Sequence, residues 1–256
     1  MKLVQDTIDW FLPNQHEELH TGLFTKPGRT FLDIGAHVGT WTLRLAPQFE
    51  RVFCFEPDPR GSEALKKNIK LAGLTNVEVI TAAVGAYDGE VALSLYTNPC
   101  TNTMLPIETG RGHGAGDTAT SIITVPLIAL DTFVKERGIT DVDLVKVDTE
   151  GAECMVLQGG LEMWREQRPD FFVELHGPFH RECRKLLDFE QCDLLDLGGW
   201  GFSMLKHRDS WDLTGAPPPH RLYPHGTDAT DDDLLSIGGR ERWITFKAVL
   251  SNLVAP

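Results

Sequence analysis

Phe31-Leu32-Asp33-Ile34-Gly35-Ala36-His37-Val38-Gly39 runs an apolar strand into an acid and then through a turn of small residues. Residues 40–45 follow as the start of a helix. A strand that breaks on glycine and reopens as a helix is the unit of an α/β sheet, in which ligands bind at the carboxyl ends of the strands near the point where strand order reverses. Gly35 and Gly39 allow a ligand close to the backbone, and the free N–H groups at the helix start favour an anionic group. Glu56, about 20 residues on, ends the next β-rich run (51–55, stopped by Pro57), where an acid can hold the two hydroxyls of a ribose.

The same alternation continues outward. Residues 61–72 read as an amphipathic helix, with Leu65, Ile69 and Ala72 at helical spacing and Gly73 as its stop. Strands are expected at 77–84, 90–96 (alternating, as in a hairpin), 143–147, 171–175, 202–206 and 243–249, and helices at 152–157 and 181–187. Strands alternating with helices imply one continuous, mostly parallel α/β sheet covered on both faces. The 256 residues suit a single domain, with 1–29 a helical N-terminal segment. Two Gly-, Thr- or Pro-rich stretches, 97–121 and 210–233, read as substrate-side loops.

Composition narrows the partners. A formal net charge of −13 repels phosphate backbones, so nucleic acid is not expected as a partner. The five cysteines form no CxxC pair, no signal peptide opens the chain, and no apolar run is long enough for a membrane helix. A cytoplasmic protein without a membrane partner is expected, with self-association open.

The turn also selects among nucleotides. A dinucleotide site needs G-x-G-x-x-G and a phosphate loop needs G-x-x-x-x-G-K-[ST], whereas this chain has G-x-x-x-G with no lysine after it. Asp33, ahead of the turn, repels a pyrophosphate and welcomes an ammonium. S-adenosylmethionine has an ammonium, a sulfonium and a ribose but no phosphate, so Asp33 with Glu56 suits it better than NAD. An NAD-type oxidoreductase ranks third, behind a non-catalytic nucleotide- or partner-binding module on the same fold.

FLDIGAHVG, VFCFEPDP, VEVITAAVG and above all VDLVKVDTEGAE resemble the FkbM family of S-adenosylmethionine-dependent methyltransferases, over residues 31–176. The resemblance implies a Rossmann-like class I methyltransferase fold, a seven-stranded mostly parallel sheet with the last strand antiparallel. It also implies O-methyl transfer to a small-molecule acceptor such as a sugar, polyketide or other secondary metabolite. Carried over, Asp33, Gly35, Ala36, His37 and Gly39 hold the methionine end of the cofactor, Glu56 the ribose, and Ala82 and Ala83 lie near adenine. The family often has asparagine where this chain has His37, and many methyltransferases have an adenine-binding acid where it has alanine.

Asp148 ends the fourth strand beside the methyl group, serving both cofactor and chemistry. Glu150 and Glu153, three apart, can share a helical face, or act as first-turn acids of the next helix. Glu174 and His176 alternate and so face one side of their strand. An alcohol needs a proton acceptor, for which His176 is the first choice and Asp148 the second, with Glu174 and Glu150 beside them. His16-Glu17-Glu18-Leu19-His20 matches the zinc-protease pattern H-E-x-x-H, but no third ligand is evident and no metal is expected.

Overall fold

The computed structural model describes residues 27–105, 118–174, 183, 186, 192–198, 202–207 and 222–223. The expected N-terminal helical segment up to residue 26 with its two histidines, nearly all of the 181–187 helix, the 243–249 strand and His176 lie outside them, and Gly28 and Arg29, expected to end that helical segment, open a strand instead. In chain order the elements are β1 (Gly28–Ile34), α1 (Thr40–Leu45), β2 (Phe49–Phe55), α2 (Pro59–Ala72), β3 (Val77–Ile80), β4 (Ala83–Val84) and β5 (Gly89–Tyr96). They continue with β6 (Ala119–Ile128), α3 (Leu130–Glu136), β7 (Val142–Val147), α4 (Glu153–Gln158), α5 (Leu161–Gln167), β8 (Asp170–Glu174), β9 (Cys192–Gly198), β10 (Phe202–His207) and β11 (Leu222–Tyr223).

The main sheet has the order β11-β9-β10-β8-β7-β1-β2-β3. Five neighbours, β3 to β8, are parallel, and β10 is antiparallel to both β8 and β9. The chain builds outward from β1 to β3 and then returns to lay β7 on the other side of β1, so the reversal of strand order falls between β1 and β7. This is the Rossmann-like α/β class expected, with two differences. The sheet has eight strands among the described residues rather than seven, because the short β11 adds to β9. A second sheet, β4-β6-β5, stands apart from it, so the sheet is not one continuous surface.

Strand alternation divides the core. Leu32, Ile34, Val145, Val147, Phe171 and Val173 pack on one face with Phe133, Leu157 and Trp164 from α3 to α5. Phe31, Val52, Cys54, Leu144 and Phe172 pack on the other with Trp41, Leu45, Leu65 and Ile69 from α1 and α2. Helix α2 forms for local reasons. Asp58 caps it by accepting from the Arg60 N–H at 2.9 Å, Pro59 occupies the first turn, and Gly73 closes it in the left-handed conformation. Its Leu65 and Ile69 are buried as their spacing requires, while Ala72 is exposed at the helix end.

Residues 90–96 do form a strand, but its partner is β6, about thirty residues on, with Glu90 opposite Pro126 and Ser94 opposite Ile122. The 97–121 stretch is therefore not wholly irregular: a 3-10 turn covers Pro99–Thr101, and residues 119–121 already belong to β6. Among the described residues no helix is long and apolar enough to cross a membrane. Nor is any group of three or more His, Cys, Asp or Glu placed to hold a metal ion.

Candidate active site

At the carboxyl ends of the parallel strands opens a cavity of about 590 Å³. Its floor is the turn after β1 (Gly35, Ala36, His37) and the start of α1 (Thr40, Trp41). One side comes from Phe55, Glu56 and Pro57 after β2 and from Ala82 to Val84, the other from Lys146, Asp148, Thr149, Glu150 and Glu174. A roof comes from the second sheet and the strap that follows it, through Leu93, Pro99 to Asn102, and Met104. The strap is tied at both ends of the cavity. Asn102 Nδ2 donates to Asp58 at 3.0 Å, and Thr103 Oγ1 donates to the Glu150 carbonyl at 2.9 Å.

Glu56 is a buried acid of the lining, held on both oxygens. It is 7 % exposed, and its two oxygens accept the backbone N–H groups of His37 at 2.8 Å and Asp58 at 2.9 Å. Gly61 leaves room for it, since a Cβ there would crowd the carboxyl group. Burial pushes its pKa up and the Asp58 charge adds to this; the two N–H bonds and the Lys146 ammonium oppose, leaving it at about 7.

His37 takes the left-handed backbone conformation, φ 50°, in the turn between Gly35 (φ 74°) and Gly39 (φ 97°). Burial and the neighbouring Lys146 charge lower its pKa to about 4, against the opposing charges of Asp148 and Asp58, so the imidazole is neutral at neutral pH. The conformation favours glycine or asparagine, because a Cβ crowds the following carbonyl and asparagine relieves this with local hydrogen bonds. His37→Asn is therefore expected to stabilise the protein by about 0.5–1 kcal/mol, read as an upward shift in thermal midpoint. A fall in midpoint would show that the imidazole's own contacts outweigh the strain.

Two residues expected at the ligand stand behind the lining instead. Strand alternation sends the Asp33 side chain to the face that carries Phe31, beneath α1. There it is fully buried, accepting from Thr42 Oγ1 at 2.6 Å, with Lys146 Nζ 3.7 Å from its other oxygen. Asp33 and Lys146 are register partners across β1 and β7. The ammonium that Asp33 receives is thus the protein's own. Gly39 is set back too: a Cβ there would strike Leu65 of α2, so this glycine seats the helix.

In the Asp148-to-Glu153 element the acids separate by role. Asp148 and Glu150 line the cavity. Glu153 is fully buried and accepts the Gly151 N–H at 2.7 Å, holding the turn closed from the first residue of α4. Glu150 precedes that helix with φ 52°, so the two acids do not share a helical face. Gly35, Ala36, His37, Glu56, Ala82, Ala83, Asp148, Glu150 and Glu174 come together as neighbours of one cavity. Sequence reasoning missed Trp41 and Lys146, whereas residues 99–104 of the roof fall in the stretch expected as a substrate-side loop. Lys146 had one signal, a cation in the apolar inner part of its strand, Leu144 to Val147.

The profile of the "Methyltransferase FkbM domain" matches residues 33–195. "Methyltransferase 1" of Beauveria bassiana is 26 % identical over 211 residues, covering 77 % of this chain and 80 % of that one. "2-O-methyltransferase NoeI" of Sinorhizobium fredii is 28 % identical over 163 residues, covering 57 % of this chain and 63 % of that one. The crystal structure of a methyltransferase FkbM from Methylobacillus flagellatus aligns at 16 % identity and a TM-score of 0.49, over 70 % of this chain but only 43 % of the solved one. The matched span holds the β1 turn, Glu56 and the Asp148-to-Glu153 element that build the cavity, and on it the chain belongs to the FkbM methyltransferase family.

Proposed function

We propose that the protein transfers the methyl group of S-adenosylmethionine to a hydroxyl of a small, uncharged acceptor. The observation that carries this reading is the charge on the cavity lining. Among the described residues the ionisable carboxyl groups there are Glu56, Asp148, Glu150 and Glu174 against the single Lys146, whose ammonium is turned to the Gly35 carbonyl. Such a lining fits a ligand with an ammonium, a sulfonium and hydroxyls, and opposes a pyrophosphate. It opposes a phosphorylated or carboxylated acceptor for the same reason.

The cofactor supplies an electrophilic methyl group, and the chain's residues supply its placement. The turn at Gly35, Ala36 and His37 offers close backbone approach to the methionine end. Glu56 accepts from the ribose hydroxyls, and Ala82 and Ala83 leave a flat apolar seat for adenine. Asp148, at the end of β7, is placed to accept from the ligand's ammonium, the part first assigned to Asp33. His176 is the first choice to take the acceptor's proton and Asp148 the second, with Glu174 and Glu150 orienting the hydroxyl. Hydroxyl transfer draws support from the relative named as the 2-O-methyltransferase NoeI.

The test is calorimetry with S-adenosylmethionine and S-adenosylhomocysteine, followed by methyl transfer from labelled cofactor to a panel of neutral and acidic polyols. Asp148→Asn is expected to weaken cofactor binding about tenfold, the loss of one charge-assisted hydrogen bond. His176→Ala is expected to lower turnover far more than affinity. Absence of binding by the unaltered protein would end this reading, and labelling of the acidic acceptors alone would end the acceptor assignment.

A further inference from the structure

Lys146 is a fixed cation in a cavity lining whose other charged side chains, among the described residues, are carboxylates. It is 3 % exposed, and its Nζ donates to the Gly35 carbonyl at 2.8 Å. The same Nζ lies 3.7 Å from Asp33 Oδ1 and 3.5 Å from Asp148 Oδ2. An ammonium so deeply buried costs several kcal/mol of desolvation unless acceptors surround it, and here three do. The two carboxylates are not equivalent. Asp33 is sealed under α1, whereas Asp148 lines the cavity. The ammonium therefore stands between a closed acid behind and an open acid in front, at the reversal of strand order where the ligand crevice lies. Its field reaches the rest of the site, since the Lys146 charge acts on both His37 and Glu56. Water and salt screen such a charge poorly inside the wall.

A lysine that only tied β7 to the β1 turn would meet its needs with the Gly35 bond and Asp33. Its position at the cavity surface, shared with Asp148, adds a second consequence. We propose that Lys146 sets the charge of the cofactor pocket: its ammonium offsets the lining carboxylates and so limits the pocket's preference for the cationic sulfonium cofactor over the neutral thioether form. The inference rests on the cofactor reading above and goes beyond it by assigning the balance between the two forms to one residue. A pocket of uncompensated acids would grip the sulfonium most tightly, and affinity spent on the ground state does not speed the chemistry. Lys146 is a positioning residue in this sense, acting through the field and through Asp148 rather than by touching the reacting atoms.

The readout is the ratio of the dissociation constants for S-adenosylhomocysteine and S-adenosylmethionine, each measured by calorimetry. Lys146→Gln keeps a donor for the Gly35 carbonyl and removes the charge. The ratio is expected to rise roughly tenfold, the size of effect a unit charge has across a cavity width at an effective dielectric of about 20. Lys146→Arg keeps the charge and is expected to hold the ratio within about twofold of the unaltered protein. Asp33→Asn removes the acid behind the ammonium and strengthens its net field, so the ratio is expected to fall several-fold. This last variant decides the matter if Lys146→Gln does not fold. Equal weakening of both ligands by Lys146→Gln, or an unmoved ratio in Asp33→Asn, would overturn the proposal and leave Lys146 a structural tie. Binding of neither ligand by the unaltered protein would overturn the cofactor reading, and this inference with it.

Discussion

Glu56→Gln is expected to lose about a hundredfold in affinity for S-adenosylmethionine, because in the proposed ribose role two hydroxyls would then share one neutral acceptor in place of a carboxylate. The variant also loses part of the site itself. The carboxylate accepts two backbone N–H groups, from His37 and Asp58, and an amide can accept only one of them while turning its NH₂ toward the other. The pH dependence separates the two effects. With its pKa at about 7 in the folded protein, Glu56 is half protonated near neutrality. Hydroxyl donors favour the ionised form, so cofactor binding is expected to strengthen as pH rises through 7 and to release a proton below it. Calorimetry at pH 6 in buffers of different ionisation enthalpy reads that proton directly. Stability of the ligand-free protein runs the other way. The folded pKa lies above the ordinary value of 4.5, so the group's contribution is fully present below that value and is lost as pH rises through about 7. Glu56→Gln is expected to abolish both dependences, and their persistence would place the titration elsewhere.

Gly35→Ala is expected to destabilise the protein by roughly 3 kcal/mol, or about 10 °C in thermal midpoint for a chain of this size. Two causes add. Gly35 has φ 74°, where an L side chain costs about 1–2 kcal/mol. A Cβ there would also fall inside the van der Waals shell of the Asp148 carbonyl oxygen, which is backbone and cannot swing away. Gly73→Ala serves as the control. Its φ is 69°, and nothing lies within 4 Å of the Cβ position, so it reports the conformational cost alone. Equal midpoints for the two variants would remove the close approach of the β1 turn to Asp148 from the account.

The turn after β1 was legible because its signals are local. An apolar strand, a glycine at positive φ and a helix start within a few residues admit few structures, and Glu56 follows at the end of the neighbouring strand. Helix α2 was legible for the same reason, through the spacing of Leu65 and Ile69 and the stop at Gly73, while the Asp58 cap and Pro59 start it two residues earlier than that spacing showed. The second sheet was not. Residues 119–128 form a strand through pairing with β5 and β4, and much of that strand is exposed, so no strict apolar alternation announces it. The roof of the cavity comes from Leu93, in the strand expected at 90–96, and from residues 99–104, inside the stretch read as a substrate-side loop; what the spacing did not show was the strand that holds them.

The sequence by itself determined the class of fold, the end of the sheet where the cavity opens, the glycine turn and the family. Each of these follows from residue types at short, fixed spacing. The tertiary structure decided which acids face the cavity. Asp33 and Asp148 end neighbouring elements and read alike along the chain, yet the pleat of β1 buries the first beneath α1 while the turn after β7 leaves the second in the lining. Register across β1 and β7 then sets Lys146 beside Asp33, 113 positions apart in the chain, so that the ammonium first sought in the ligand is supplied by the protein. No spacing rule carries that pairing, because it exists only once two distant strands have chosen each other as neighbours.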